Sequence, residues 1–151
     1  MPSPGDPAPP FSLPDQHGQT QSLADRSGRR AVLLVFFPFA FTGVCNGEMH
    51  ALSDHAESWD ELGTDVLGVS CDTVPALRRF SDQERLAVPL LSDFWPHGVV
   101  SSAYGVFQDT IGAAARGSFV IDRDGVVRWT VRSEMSQARD VHDYVAALKA
   151  L

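Results

Sequence analysis

The strongest pattern along the chain is an unbroken apolar run, Ala31 to Phe37, stopped by Pro38. A run this short, rich in β-branched and aromatic side chains, predicts a strand covered on both faces, as in a parallel sheet. From Cys45 the period changes. Met49, Leu52, Ala56, Trp59 and Leu62 recur at intervals of three and four, one face of a helix that Gly63 ends. Asp65 to Cys71 reads as a second buried strand, and Thr73-Val74-Pro75 opens a second helix running to about Arg85. Pro89 to Leu91 predicts a short strand, Val99 to Tyr104 a helix, and Gly117 to Ile121 a third long strand. The turn Asp122-Arg123-Asp124-Gly125 leads into a strand over Val126 to Val131. A closing helix spans Gln137 to Leu151, with Val141, Tyr144, Val145 and Leu148 on one face.

The start of the chain differs. Prolines 2, 4, 7, 9 and 10 predict an extended arm. Phe11 to Leu13 and Thr20 to Leu23, separated by the turn residues Asp15-Gln16-His17-Gly18, predict a small β-hairpin. Arg26 to Arg30 reads as a solvated loop. The resulting order, a hairpin followed by β-α-β-α-β-β-α, predicts an α/β chain with a central mixed sheet flanked by helices. That is the plan of a thioredoxin-like fold, expected here as one domain over residues 1–151.

Composition removes several classes of function. Twelve basic against nineteen acidic residues leave a formal charge of −7, and no basic face for nucleic acid is expected. No apolar stretch is long enough to span a bilayer, and the first residues lack the pattern of a signal peptide. A cytoplasmic, reducing setting is the expectation. Cys45 and Cys71 are the two cysteines, with no CxxC pair and no Cys/His quartet at zinc spacing. His50, His55, His97 and His142 have no partner at metal-ligand spacing, and His50 with Asp54, one turn apart, reads as a surface contact. Neither a metal nor a cofactor is called for.

Chemistry concentrates in Phe37-Pro38-Phe39-Ala40-Phe41-Thr42-Gly43-Val44-Cys45-Asn46-Gly47-Glu48. This segment leaves a buried strand and enters a helix, with a thiol at the junction. Helix N-termini carry unpaired N–H groups and partial positive charge, which favour a thiolate. Thr42 can turn its hydroxyl toward the same space, and Pro38 removes a donor and stiffens the approach. Two readings stand at this point: a reactive thiolate, or a small buried core residue.

Pro38-x-x-x-Thr42-x-x-Cys45, Ala103-Tyr104-Gly105-Val106 and Arg116-Gly117-Ser118-Phe119-Val120-Ile121-Asp122 together resemble the peroxiredoxin family. The resemblance runs from Gly5-Asp6-Pro7 to the Asp122–Gly125 turn. Phe36-Phe37-Pro38, Phe41-Thr42-Gly43 and Leu90 to Gly98 look most like the alkyl hydroperoxide reductase E type, a one-cysteine branch. The resemblance implies thiol-dependent reduction of H2O2, alkyl hydroperoxides or peroxynitrite. It assigns Cys45 as nucleophile, Thr42 to orienting the peroxide and Pro38 to shielding the thiolate. Arg116 would pair with thiolate and peroxide, and Glu48 would hold that arginine. The physics fits: a guanidinium and helix N–H groups favour a thiolate, and fixed donors meet charge developing on the leaving oxygen.

Where one branch of the family carries a resolving cysteine, five residues after the first, this chain has His50, and its C-terminal Ala147 to Leu151 contains no cysteine. Cys71 reads as a strand-end core residue. A one-cysteine mechanism is therefore expected, resolved by an external thiol: a small thiol, or a mycoredoxin-, glutaredoxin- or thioredoxin-like protein. Similar proteins pair through surfaces beside the Cys45 turn, so at least a homodimer is expected. Trp95, beside Pro96, is expected to pack or to edge the pocket. The rival reading is a redox-linked binding or chaperone-like module with little turnover. A disulfide reductase of the CxxC type is disfavoured by Glu48 at the position of the second cysteine.

Overall fold

The computed structural model describes residues 1–151. Its centre is a five-stranded sheet in the order β5-β4-β3-β8-β9. β3 (Ala31–Phe36), β4 (Thr64–Ser70) and β5 (Leu90–Ser92) run parallel, while β8 (Arg116–Ile121) and β9 (Val127–Ser133) complete one side antiparallel. Every residue of β3 and β8 is buried, because both strands are interior and both faces of the sheet are covered. On one face lie α1 (Gly43–Asp54), α2 (Ala56–Glu61), α3 (Val74–Glu84) and α5 (Val141–Lys149), which send Met49, Leu52, Trp59, Leu77, Phe80 and Leu148 against Leu33, Val35 and Val120. The other face is closed by α4 (Val99–Ala103), Tyr104 and the N-terminal hairpin, whose Phe11 and Leu13 pack with Val32, Leu34 and Phe119. The hairpin pairs β1 (Ser12–Pro14) with β2 (Thr20–Ser22), as the pattern predicts. The mixed sheet between helical layers is the expected thioredoxin-like α/β architecture, and no helix is long and apolar enough to cross a membrane.

Four local expectations are corrected. The single helix from Cys45 to Leu62 is two, broken at His55, and Ala56 is exposed rather than on the buried face. The break is supported by side chains: His55 Nδ1 meets the carbonyl of Ala51 at 2.9 Å, and the Trp59 indole N–H donates to Leu52 O at 2.8 Å. The closing helix begins at Val141, not at Gln137, behind the N-cap Asp140, whose carboxylate accepts from His142 N, and it ends at Lys149. Residues 26–30 are not simply solvated, since Arg26 Nε and Arg30 Nε both donate to Asp65, at 3.0 and 2.8 Å. His50 meets Glu84 at 3.4 Å across α1 and α3 instead of Asp54. A two-residue hairpin, β6 (Phe107–Gln108) with β7 (Ala113–Ala114), had no pattern long enough to announce it.

This topology matters for one location. β3 and β8 are antiparallel neighbours, so β8 begins at the edge where β3 ends. The strand-to-helix turn after β3 and the first residue of β8 therefore share a corner of the sheet.

Candidate active site

Cys45 lies in the first turn of α1 with no solvent exposure. The first bond of the helical ladder runs from Asn46 N to Thr42 O at 2.8 Å, so the amides of Gly43, Val44 and Cys45 precede the ladder. The turn that delivers the thiol is tightly bent. Phe41 sits at φ +67°, a region costly for a bulky residue, and its ring meets the edge of Phe80 at 5.2 Å. Ala40 N donates to Asp72 Oδ2 at 2.9 Å, tying the turn to the end of β4.

Arg116 opens β8 and is buried. Its Nη1 donates to Cys45 Sγ at 3.1 Å and to Glu48 Oε1 at 2.6 Å, while its Nε donates to Met135 O at 2.8 Å. Gly117, next in the strand, must lack a side chain: a Cβ there would come within 2.6 Å of Val106 Cγ1. Glu48 is buried one turn beyond Cys45, on the same side of α1. Pro38, which follows β3, is buried. Arg116 thus bridges Cys45 and Glu48 through one nitrogen. Thr42 occupies the N-cap but makes no capping bond, and its hydroxyl donates to Phe39 O at 2.9 Å. That bond uses its proton and leaves the oxygen lone pairs to accept.

Sequence reasoning missed Arg139. Its Nε and backbone N donate to Glu48 Oε2, each at 2.8 Å, and its Nη2 donates to Oε1 at 2.9 Å, a bidentate fork. Nη1 continues to Gly117 O at 2.8 Å and Ser118 Oγ at 2.9 Å. The one sequence hint is its position just ahead of the Asp140 N-cap, where a cation opposes the helix dipole and gains nothing locally.

The charges decide what the cluster favours. Arg116 and Arg139 contribute two positive charges and Glu48 one negative, all with almost no exposure. The surplus is one positive charge, and a thiolate at Cys45 neutralises it. Burial pushes the Glu48 carboxyl up, but the hydrogen bonds and charge of Arg139, helped by Arg116, outweigh it and hold Glu48 below its ordinary 4.5. A depressed carboxyl lends stability above 4.5 that is lost as pH falls through its folded value, so the domain should weaken in acid. Glu48→Ala leaves two buried guanidiniums without their counter-ion and should cost about 3–5 kcal/mol of folding stability. Urea midpoints at pH 7 check this; a loss below about 1 kcal/mol would show the cluster to be freely hydrated.

Cys71 is a different kind of thiol. It follows β4, lies 3.9 Å from Ser101 Oγ of α4, and is pushed up to about 11 by burial, with Asp93 and Asp72 nearby adding to the shift. Such a thiol is protonated and inert at neutral pH. Trp95 does not pack beside Pro96: it is 80% exposed.

Residues 4–130 match the family model described as the AhpC/TSA family. The chain belongs to this family, the peroxiredoxins, which are thiol-dependent peroxidases. It is 44% identical over 144 residues to alkyl hydroperoxide reductase E of Mycobacterium tuberculosis, covering 95% of this chain and 94% of that one. It is 34% identical to the chloroplastic 2-Cys peroxiredoxin BAS1 of Hordeum vulgare, covering 100% of this chain and 76% of the relative. Among solved structures, peroxidoxin BcpB from Mycobacterium tuberculosis superposes with a TM-score of 0.89 at 32% identity, over 98% of this chain and 97% of that one. The relatives thus include a protein named for two cysteines, and the family alone does not choose the number used here.

Proposed function

We propose that this peroxiredoxin is a one-cysteine peroxidase in which Cys45 reduces H2O2, alkyl hydroperoxides and peroxynitrite, with residues 1–151 acting as one domain. The observation that carries the reading is the Arg116 Nη1 contact on Cys45 Sγ at 3.1 Å inside a cluster one negative charge short of neutral. The thiolate attacks the terminal peroxide oxygen; the S–O bond forms as the O–O bond breaks. For a hydroperoxide the leaving oxygen takes up a proton from solvent and departs as alcohol or water, for peroxynitrous acid it departs as nitrite, and Cys45 is oxidised by two electrons to sulfenic acid. Arg116 and the free amides of the first turn meet the charge moving onto that oxygen, and Thr42 Oγ1 accepts from the peroxide O–H. Pro38 keeps a competing backbone donor and water away from the sulfur.

An external thiol then condenses with the sulfenic acid, releasing water, and a second thiol frees Cys45 as a disulfide leaves. Cys71 is a poor internal substitute. Its sulfur lies against α4, which covers the second face of the sheet, while Cys45 belongs to the core of the first face. Mass spectrometry of peroxide-treated protein, with and without a small thiol, tests the reading. Cys45 sulfenic acid alone, and a Cys45 mixed disulfide with thiol, are expected; a Cys45–Cys71 bond as main product overturns the one-cysteine assignment. Cys71→Ala should keep peroxidase activity within about 2-fold with external thiol, since a protonated buried thiol contributes packing only. Dependence of turnover on Cys71 would contradict it.

The same reading includes a reducing, cytoplasmic setting, since the cycle consumes thiols, and mycoredoxin-, glutaredoxin- or thioredoxin-like donors suit it. It also includes a homodimer. Exposed Phe39, Phe41, Phe94 and Trp95 project from the turns after β3 and β5, and both turns hang on Asp72, through Ala40 N and through Ser92 Oγ to Asp72 O. An apolar face beside the site suits a second copy of the chain. The covered Cys45 requires the turn to open before a protein reductant reaches it, and exposed Gly43 and Gly47 lower that barrier. Hydrogen exchange over residues 41–49 should rise on conversion to sulfenic acid; equal protection in both forms would leave only small thiols as reductants.

A further inference from the structure

Beyond the sulfur, Glu48 and the two arginines, the hydrogen-bonded chain does not stop. Arg139 Nη1 donates to Ser118 Oγ at 2.9 Å, and Ser118 Oγ meets Tyr144 Oη at 2.7 Å. Ser118 has no exposure, and Tyr144, on α5, has almost none. A guanidinium only donates, so Ser118 Oγ must accept from Arg139, and Tyr144 is the other partner that fixes how its remaining lone pair and proton point. Arg139 has Glu48 on one side and Gly117 O with Ser118 Oγ on the other, so its rotation is set from both. Glu48, gripped by that fork, in turn sets where Arg116 Nη1 lies on Cys45.

We propose that Ser118 and Tyr144 are positioning residues of the Cys45 site, acting through Arg139 and Glu48 on Arg116 and so joining helix α5 to the reacting sulfur. This rests on the peroxidase reading only for its turnover consequence; the geometric claim concerns thiolate reactivity itself. Neither residue touches substrate. Tyr144 is otherwise a core residue, its ring meeting Trp129 edge-on at 5.8 Å, so Tyr144→Phe keeps the packing and removes only the hydroxyl. Ser118→Thr keeps the hydroxyl, and Ser118→Ala removes it.

The test is the rate of Cys45 alkylation by iodoacetamide against pH, together with peroxide reduction, on the full chain. Ser118→Ala should slow both by about 5-fold near neutral pH, and Tyr144→Phe by about 2–3-fold, as Arg116 loses its fixed position. Ser118→Thr should restore at least half of the wild-type rate. The double variant should be no slower than Ser118→Ala, because two links of one chain do not add. Thermal midpoints separate this from unfolding: Tyr144→Phe stays folded and decides the matter if Ser118→Ala does not. Wild-type alkylation profiles in the folded Tyr144→Phe variant overturn the role of Tyr144, and in folded Ser118→Ala that of the whole extension. Because alkylation needs no peroxide, a wild-type protein inactive toward peroxides would sink the peroxidase reading and leave this result legible.

Discussion

Cys45→Ser is expected to abolish peroxide reduction while leaving the fold in place. A serine hydroxyl is scarcely ionised near neutral pH; the side chain bonded to position 45 is a guanidinium, which cannot take its proton, and the Glu48 carboxylate is already occupied by Arg116 and Arg139. The loss should exceed about 10³-fold, the scale set by removing a covalent nucleophile. Stability should hardly change, because the smaller oxygen still accepts from Arg116 and the turn is held independently by Asp72 and Phe80. Stopped-flow mixing with H2O2, followed by loss of peroxide, checks the rate, and circular dichroism checks the fold. A purified variant retaining a tenth of the rate would remove Cys45 as nucleophile, and Cys71, inert by burial, would have to be reconsidered.

The parts of this molecule that were legible in its sequence are those written in continuous patterns. The run Ala31 to Phe37 predicts a doubly covered strand because an interior strand has no polar face to show, and β3 is buried throughout. The helix break at His55 left no such mark: the apolar period continues to Trp59 across it, and the carbonyls freed there are satisfied by two particular side chains. The site divides in the same way. Cys45 and Glu48 are one turn apart, so local geometry brings them together, while the position of Thr42 at the cap is equally local. The hydroxyl direction of Thr42 is not, since it depends on the strained bend at Phe41. Arg116 entered only through the family resemblance, because its approach to Cys45 depends on β8 pairing with β3. Arg139 depends further on a segment, Glu134 to Ala138, that forms no helix or strand and that the apolar pattern assigned in part to a helix. What was missed is set by tertiary closure around a buried charge, which periodicity does not encode.

Arg116→Ala is expected to slow peroxide reduction by about 100-fold, the cost of deleting one fixed donor to a developing oxyanion. The charge count gives a second reason. With both arginines present, a Cys45 thiolate closes the balance of the buried cluster; without Arg116, Arg139 and Glu48 neutralise each other and the thiolate is itself the surplus charge. The variant should remain folded, since Glu48 keeps its backbone and bidentate bonds from Arg139. Arg116→Lys should recover only part of the rate. The guanidinium serves three acceptors in two directions, Met135 O through Nε and both Cys45 Sγ and Glu48 Oε1 through Nη1, and a point ammonium cannot hold that spread. Alkylation of Cys45 by iodoacetamide should slow in the same order, wild type, then Lys, then Ala. If Arg116→Ala alkylates and turns over as the wild type does, the 3.1 Å contact is packing alone, and the cluster's charge acts through Arg139 or not at all.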